Sequence, residues 1–315
     1  MKYCSLSRIL AFALGISFYL PLLCSAEEVS VTIEGKSLKG SLDTVAGNNT
    51  TVAFILSGSG PTDRDGNSAG VPGKNDSLKS LSAYLNKKGV STLRVDKRGI
   101  AASKLAEISE KNLRFSTYID DTVHWIKFLE QKNYQKIILI GHSEGALVAT
   151  MAAAKHSKVT KLITLAGAGL PAPVILRKQL KPKLPPVIYQ RADKIITSLT
   201  NGEEVQDLPK SLQALFRPSV QPYLISWFRI DPAVEIAKLK IPTLIIQGTT
   251  DLQVSPDSAK LLHKSSPQSQ LKIIKGMNHV LKDAEGDINA QLPSYLNPDL
   301  PLHPDLGAAV MTFLK

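Results

Sequence analysis

Cysteine is almost absent from this chain. Its two cysteines, Cys4 and Cys24, both lie near the N-terminus, so neither a disulfide framework nor a zinc-finger pattern is open to the rest of it. Runs of membrane-span length are missing too: the uncharged stretch from Ile9 to Leu23 falls short of the roughly 20 residues that a span needs. The basic residues form no long blocks, although the net charge is +11. That distribution reads as solvated faces with a weak attraction for anionic surfaces, and no specific nucleic-acid signature accompanies it. Asp63, Asp65 and Asn67 alternate as in a calcium loop. The bidentate glutamate such a loop requires is lacking, so turn chemistry is the better account and no metal is expected. What remains is ordinary globular composition, 43% hydrophobic and 21% charged over 315 residues. That is enough for a large core, as one α/β domain with an insertion or as two small domains.

Lys2 and Arg8 precede the apolar stretch, and Cys24-Ser25-Ala26 places small residues after it. Residues 1–26 therefore read as an export signal cut after Ala26, which puts the mature protein in the periplasm or the medium. Such a mature chain would hold no cysteine and no stable membrane span. A lipid anchor on Cys24 is the alternative, and Leu23 fits it poorly.

The mature part, 27–315, reads as alternating strands and helices. Strands are expected at Val29–Ile33, Leu38–Leu42, Thr51–Leu56, Val90–Val95, Lys136–Ile140, Lys161–Ala166, Pro242–Gln247 and Leu271–Ile274. Helices are expected at Ser77–Asn86 (capped by Asp76 or Ser77), Tyr118–Glu130, Ala146–Lys155, Ser258–His263 and His303–Leu314. Alternation of this kind predicts a mostly parallel central sheet covered by helices on both faces. From about 170 to 231 the pattern breaks into proline-punctuated pieces, including a helical one at Ile188–Leu199, which reads as a helical lid inserted after the sixth strand. Its Phe216, Tyr223, Trp227 and Phe228 either pack the lid onto the body or line a pocket.

Gly141-His142-Ser143-Glu144-Gly145 lies between a buried strand and an alanine-rich helix. A serine between two glycines at such a switch has the setting of a nucleophile elbow. Its hydroxyl then projects beside a helix N-terminus, where negative charge is favoured. Serine is a weak nucleophile until an imidazole takes its proton. His279 is the one histidine that follows a core strand downstream of a suitable acid. His142 adjoins the serine but points elsewhere, His124, His156 and His263 sit in or at the ends of helices, and His303 precedes the terminal helix. Asp251 comes straight off the seventh strand, whereas nearby Asp257 resembles a helix cap. Ser143, Asp251 and His279 each stand at the C-terminal end of a strand, where sites form in parallel sheets, and in the chain order Ser, Asp, His. The glycine-rich loop after the third strand occupies the place of a second oxyanion donor. The backbone N–H groups of Glu144 and Ser59 are therefore the expected oxyanion hole. Asp96-Lys97-Arg98-Gly99 reads as an ion-paired structural turn.

With these motifs in view, the sequence resembles the α/β-hydrolase superfamily over almost the whole mature chain. It is similar in particular to bacterial serine carboxylesterases, through Gly58-Ser59-Gly60-Pro61-Thr62-Asp63-Arg64-Asp65-Gly66-Asn67, Asp96-Lys97-Arg98-Gly99, Gly248-Thr249-Thr250-Asp251, Asn278-His279-Val280-Leu281-Lys282 and Phe216-Arg217-Pro218-Ser219-Val220-Gln221-Pro222-Tyr223. Relatives often carry a further glycine after Arg98-Gly99, where this chain has Ile100-Ala101-Ala102-Ser103. The resemblance implies an esterase acting on short or medium acyl esters of small molecules, without a cofactor. An aminopeptidase or acyltransferase on the same triad is the alternative, and a non-catalytic binding protein of the same fold a further one. Glu203, Glu204 and Asp207, three acids of the lid, read as a solvated face rather than an amine site.

Overall fold

The computed structural model describes residues 24–47, 50–104 and 109–315. The expected export signal falls almost wholly on residues 1–23 and lies outside the described residues. The chain opens with a hairpin, β1 (Cys24–Ile33) and β2 (Lys36–Val45), paired antiparallel from Ile33↔Lys36 outward. Its two turn residues, Glu34 and Gly35, both have positive φ, which matches the right-handed twist of the strands they join. Then follow β3 (Thr51–Leu56), α1 (Ser77–Lys87), β4 (Ser91–Val95), α2 (Phe115–Gln131), β5 (Lys136–His142), α3 (Glu144–Lys155) and β6 (Val159–Leu165). Five helices come before the next strand: α4 (Ala172–Leu180), α5 (Pro186–Thr200), α6 (Gln213–Phe216), α7 (Gln221–Phe228) and α8 (Pro232–Ala237). The chain ends with β7 (Thr243–Gly248), α9 (Pro256–Ser265), β8 (Gln270–Ile274), α10 (Ile288–Leu296) and α11 (Pro304–Leu314).

The eight strands form one sheet in the order β1-β2-β4-β3-β5-β6-β7-β8. From β4 to β8 every pairing is parallel, and only β2 runs against the rest, antiparallel to both of its neighbours, β1 and β4. Parallel strands are buried on both faces, and alternate residues divide between two cores. Val52, Phe54, Ile137 and Leu139 face one core with Ile119, Trp125 and Ile126 of α2, Ala149 of α3 and Leu262 of α9. Ala53, Ile55, Ile138 and Ile140 face the other with Leu78, Leu81 and Leu85 of α1 and Leu306, Val310 and Phe313 of α11. Strand order reverses at β3, whose neighbours β4 and β5 follow it in the chain on opposite sides. The helices α1 and α3 then leave on opposite faces, and a crevice opens at the C-terminal ends of β3 and β5.

Two local expectations are corrected. Asp76 stands at the N-cap of α1 with φ 48° and its side chain does not cap the helix. It accepts instead from Asn67 Nδ2 at 2.7 Å, because the loop after β3 has to be fastened there. Asp257 lies inside the first turn of α9, where Ser255 is the N-cap, and it pairs with Lys260 on the surface. The helix α10 was not foreseen. Its Pro293 reads in sequence as a helix breaker.

The loop after β4 is ion-paired as expected. The Arg64 guanidinium donates to Asp96 and reaches Glu28 and Ser41, tying the loop after β3 to the hairpin. Arg98 pairs with Asp121 of α2. Within Ile100–Ser103, Ala101 holds φ 45°, so the loop takes a left-handed conformation at a residue that carries a Cβ.

Candidate active site

Ser143 is the residue between β5 and α3, and its backbone stands at φ 54°, ψ −120°. Such a conformation is strained for a residue with a Cβ and persists only where the surroundings impose it. They do so here through close approach. A Cβ on Gly141 would lie 2.2 Å from the Gly145 carbonyl oxygen, and one on Gly145 would lie 2.5 Å from that of Ser57. The strand, the turn and the loop after β3 thus meet backbone to backbone around the serine. The Ser143 N–H donates to the Leu165 carbonyl at 2.9 Å, which fastens the turn to β6.

Asp251 and His279 come from the exit loops of β7 and β8. These loops are bonded to one another: the Thr249 N–H donates to the Ile274 carbonyl, and the Gly276 N–H to Thr249 Oγ1. The imidazole Nδ1 and the carboxylate oxygen Asp251 Oδ2 stand 2.8 Å apart, in the interior. Asp251 Oδ2 also accepts from Gln247 Nε2 at 2.9 Å, and Oδ1 accepts from the N–H groups of Gln253 (2.7 Å) and Val254 (2.9 Å). Burial alone would raise the pKa of this carboxyl. The adjoining imidazole and the two backbone N–H groups outweigh that effect and hold it below its ordinary value. The carboxylate is therefore charged, and with Nδ1 engaged the free nitrogen of His279 is Nε2.

Ser143 stands at the seam of two cavities. One, of about 310 Å³, is lined by Ser59, Ser143, Glu144 and, from the helices between β6 and β7, apolar residues that include Ile175, Leu176 and Leu224. The other, of about 200 Å³, is lined by Ser143 and His279 together with Thr62, Ser68, Asn75 and Tyr295. Ser143 and His279 thus meet across one cavity, and Ser59 and Glu144 meet Ser143 in the other. Of the aromatic residues Phe216, Tyr223, Trp227 and Phe228, the first three line the larger cavity, and Phe228 is buried in the core. Glu203, Glu204 and Asp207 do not line it.

Several residues that hold this arrangement were given no supporting role in the reading of the sequence. His142 Nε2 donates to the His279 carbonyl at 2.8 Å, and the two rings stand 4.9 Å apart. Burial, and then the imidazole of His279, push the pKa of His142 down to about 4, so it is a neutral strut for the histidine loop. Gln291 of α10 donates to the Thr250 carbonyl beside Asp251. Asn278 donates to Ser294 of the same helix, and fully buried Lys282 reaches the Asn297 carbonyl. The helix α10 therefore braces the aspartate loop and the histidine loop together. Gln247 had a sequence signal, a lone amide at the end of an apolar strand. The others had none, because their partners are distant in the chain. Asp63 is a turn residue, with Oδ1 accepting from the N–H groups of Asp65 and Asn67.

The remaining histidines are occupied elsewhere. His124 bonds the Asp120 carbonyl, His156 lies against Glu130, His263 bonds Ser269, and His303 caps α11 and bonds the Lys275 carbonyl.

Comparison with known proteins agrees with this architecture. The chain is similar to the AB hydrolase superfamily protein YisY of Bacillus subtilis, with 26% identity over 236 residues, covering 68% of this chain and 84% of that one. Among solved structures it is similar in fold to Est1E from Butyrivibrio proteoclasticus, with a TM-score of 0.58 and 17% identity over 91% of this chain and 98% of that one. A Pyrococcus furiosus esterase, PF2001, aligns with a TM-score of 0.59 and 17% identity over 98% of this chain and 95% of that one. The family model described as serine aminopeptidase, S33, matches residues 70–285, and the chain belongs to this family of α/β hydrolases.

Proposed function

We propose that this α/β hydrolase is an exported carboxylesterase that cleaves short or medium acyl esters through an acyl-enzyme. Ser143 Oγ attacks the ester carbonyl carbon and passes its proton to His279 Nε2, while Asp251 stabilises the imidazolium. The negative charge that develops on the carbonyl oxygen is held by the N–H groups of Glu144 and Ser59. When the intermediate collapses, the C–O bond breaks and Nε2 returns the proton to the departing alkoxide. Water then repeats the sequence, and the acyl–serine bond breaks to give the acid and free Ser143. The observation that carries this reading is the buried Asp251–His279 pair opening onto the same cavity as a strained Ser143.

The two cavities divide the substrate. The leaving oxygen has to reach His279, which lines the smaller, more polar cavity, so the alcohol belongs there. The acyl group then lies in the larger one, whose walls are mostly apolar. Export is supported by the sequence of residues 1–26 and by burial: residues 24–28 are all exposed at the start of an edge strand, so a cut after Ala26 removes no core contact. No helix among the described residues is long and apolar enough to cross a membrane. The insertion between β6 and β7 serves as the lid, since it walls the larger cavity. The family's description also raises aminopeptidase activity. Glu144 is the sole acidic residue lining the larger cavity, among the described residues. Its burial favours the uncharged form, although Lys97 and Tyr223 pull the other way, so it is a poor partner for a substrate ammonium.

Hydrolysis of p-nitrophenyl esters of increasing chain length, beside aminoacyl p-nitroanilides, tests the reading on the mature protein and its Ser143→Ala variant. The expected result is ester turnover lost by orders of magnitude in the variant. No ester turnover, together with no fluorophosphonate labelling of Ser143, refutes it. Preference for the anilides assigns the site to peptides instead.

A further inference from the structure

The Lys97 ammonium sits behind the loop that follows β3. It donates to the carbonyl of Gly58 at 2.5 Å and to that of Gly60 at 2.7 Å, on either side of Ser59. It also lies over the Tyr118 ring, 5.7 Å from its centroid, and faces the Glu144 carboxyl. Lys97 lines neither of the two cavities that Ser143 opens onto, whereas Ser59 lines both. The Gly58–Ser59 peptide is planar and trans, so its C=O and its N–H point in opposite directions. A carbonyl held from behind by Lys97 therefore turns the Ser59 N–H forward, toward the cavities. The next carbonyl, that of Ser59, is taken by Thr62 Oγ1 at 2.8 Å, so the loop cannot rotate this peptide without breaking bonds on both sides. The Ser59 N–H has no acceptor among the described residues, which is the condition a waiting oxyanion donor should meet.

We propose that Lys97 is a positioning residue for the oxyanion hole: by gripping the Gly58 and Gly60 carbonyls it aims the Ser59 N–H at the developing oxyanion. This rests on the hydrolase reading above. The charge does a second thing. A cation on the Gly58 oxygen polarises the peptide and strengthens its N–H as a donor. The role is separable from ordinary packing because it acts on the transition state and leaves the ground state alone.

The test compares Lys97→Met, which keeps the side-chain length and removes both bonds, with Lys97→Arg, which keeps a charged donor. Four readouts are taken: thermal midpoint, kcat and KM on a p-nitrophenyl ester, the inhibition constant of an alkyl trifluoromethyl ketone, and that of the matching methyl ketone. The trifluoromethyl ketone adds to the serine and places an oxyanion in the hole, whereas the methyl ketone binds largely without reacting. For Lys97→Met we expect kcat to fall about 10²-fold, the scale of losing one oxyanion donor. KM should stay within about threefold, as for loss of an interaction made only in the transition state. The trifluoromethyl ketone should weaken in proportion to kcat and the methyl ketone should not, and Lys97→Arg should recover part of both losses. A variant whose kcat falls without weakening the trifluoromethyl ketone, or whose kcat does not fall, overturns the proposal. Where Lys97→Met does not fold, the ratio of the two inhibition constants is read on Lys97→Gln, with the same outcomes deciding. Fluorophosphonate labelling of the unaltered protein separates the two levels. No labelling at Ser143 removes the hydrolase reading and this one with it, while labelling with an unchanged Lys97 variant removes this one alone.

Discussion

Replacing Asp251 with asparagine keeps the shape of the side chain and changes what His279 faces. In the native site Oδ1 accepts from two backbone N–H groups, and Oδ2 accepts from His279 Nδ1 and Gln247 Nε2. Asparagine has one oxygen and one NH₂. Turning the NH₂ toward Gln253 and Val254 sets it against two backbone donors that cannot move. The oxygen therefore stays at the Oδ1 position and the NH₂ takes the Oδ2 position. Gln247 gains nothing by turning its amide, because the same Nε2 also donates to the Val254 carbonyl at 2.9 Å, so its bond to position 251 is lost. His279 adapts by shifting its proton: Nδ1 becomes the acceptor and Nε2 carries the hydrogen. An imidazole protonated on Nε2 cannot take the proton of Ser143. On the scale of the serine-protease equivalent, kcat falls about 10⁴-fold, which is about 5.5 kcal/mol of transition-state stabilisation at about 1.4 kcal/mol per decade. Stability falls far less, by about 1–3 kcal/mol for a charge-assisted bond replaced by a neutral one. Steady-state kinetics on a p-nitrophenyl ester and a thermal melt measure the two effects separately. A loss of less than about tenfold in kcat, with the variant folded, would show that Asp251 does not set the tautomer of His279.

The same carboxylate predicts a response to acid. Its folded-state pKa lies below the ordinary value, so its stabilising contribution is present above the unfolded pKa of about 3.9 and is lost as pH falls through the lower folded value. Urea titrations from pH 6 to pH 2 should show Asp251→Asn losing less stability than the native protein in that window, and parallel curves would contradict it. Gly145→Ala drives a methyl group to 2.5 Å from the Ser57 oxygen and 2.7 Å from that of Leu56. Both are backbone atoms, so a loss of about 3 kcal/mol or more is expected in chemical denaturation, and a cost below about 1 kcal/mol would mean that the elbow yields easily. Ala101 holds φ 45°, so Ala101→Gly removes a left-handed strain of about 1–2 kcal/mol and returns part of it as entropy of the unfolded chain. A net gain of about 0.5–1 kcal/mol should raise the thermal midpoint, and a lowered midpoint would refute the strain.

Much of the site can be read from local sequence because each of its parts announces itself locally. Ser143 lies between the glycines that a close backbone approach requires, and Asp251 and His279 stand directly after apolar strands. Eight strands were legible through runs such as Thr51–Leu56 and Lys136–Ile140, whose burial on both faces leaves a polar residue only at the first position. Asp76 was misread because its local chemistry suits a cap, whereas its actual partner, Asn67, belongs to the loop it fastens. The helix α10 was missed because Pro293 argues against a helix, yet the tie of Asn278 to Ser294 and of Gln291 to the Thr250 carbonyl makes it the brace of two loops. The order of the elements, the glycine-flanked turn at Ser143 and the edge of the sheet where it stands were set by the sequence alone, since strand and turn propensities act over a few residues. Which carbonyl Lys97 grips, which backbone His142 supports and which faces of α4 and α7 wall the cavity were decided only by the tertiary structure, because those contacts join residues far apart in the chain and depend on how the strands are ordered in the sheet.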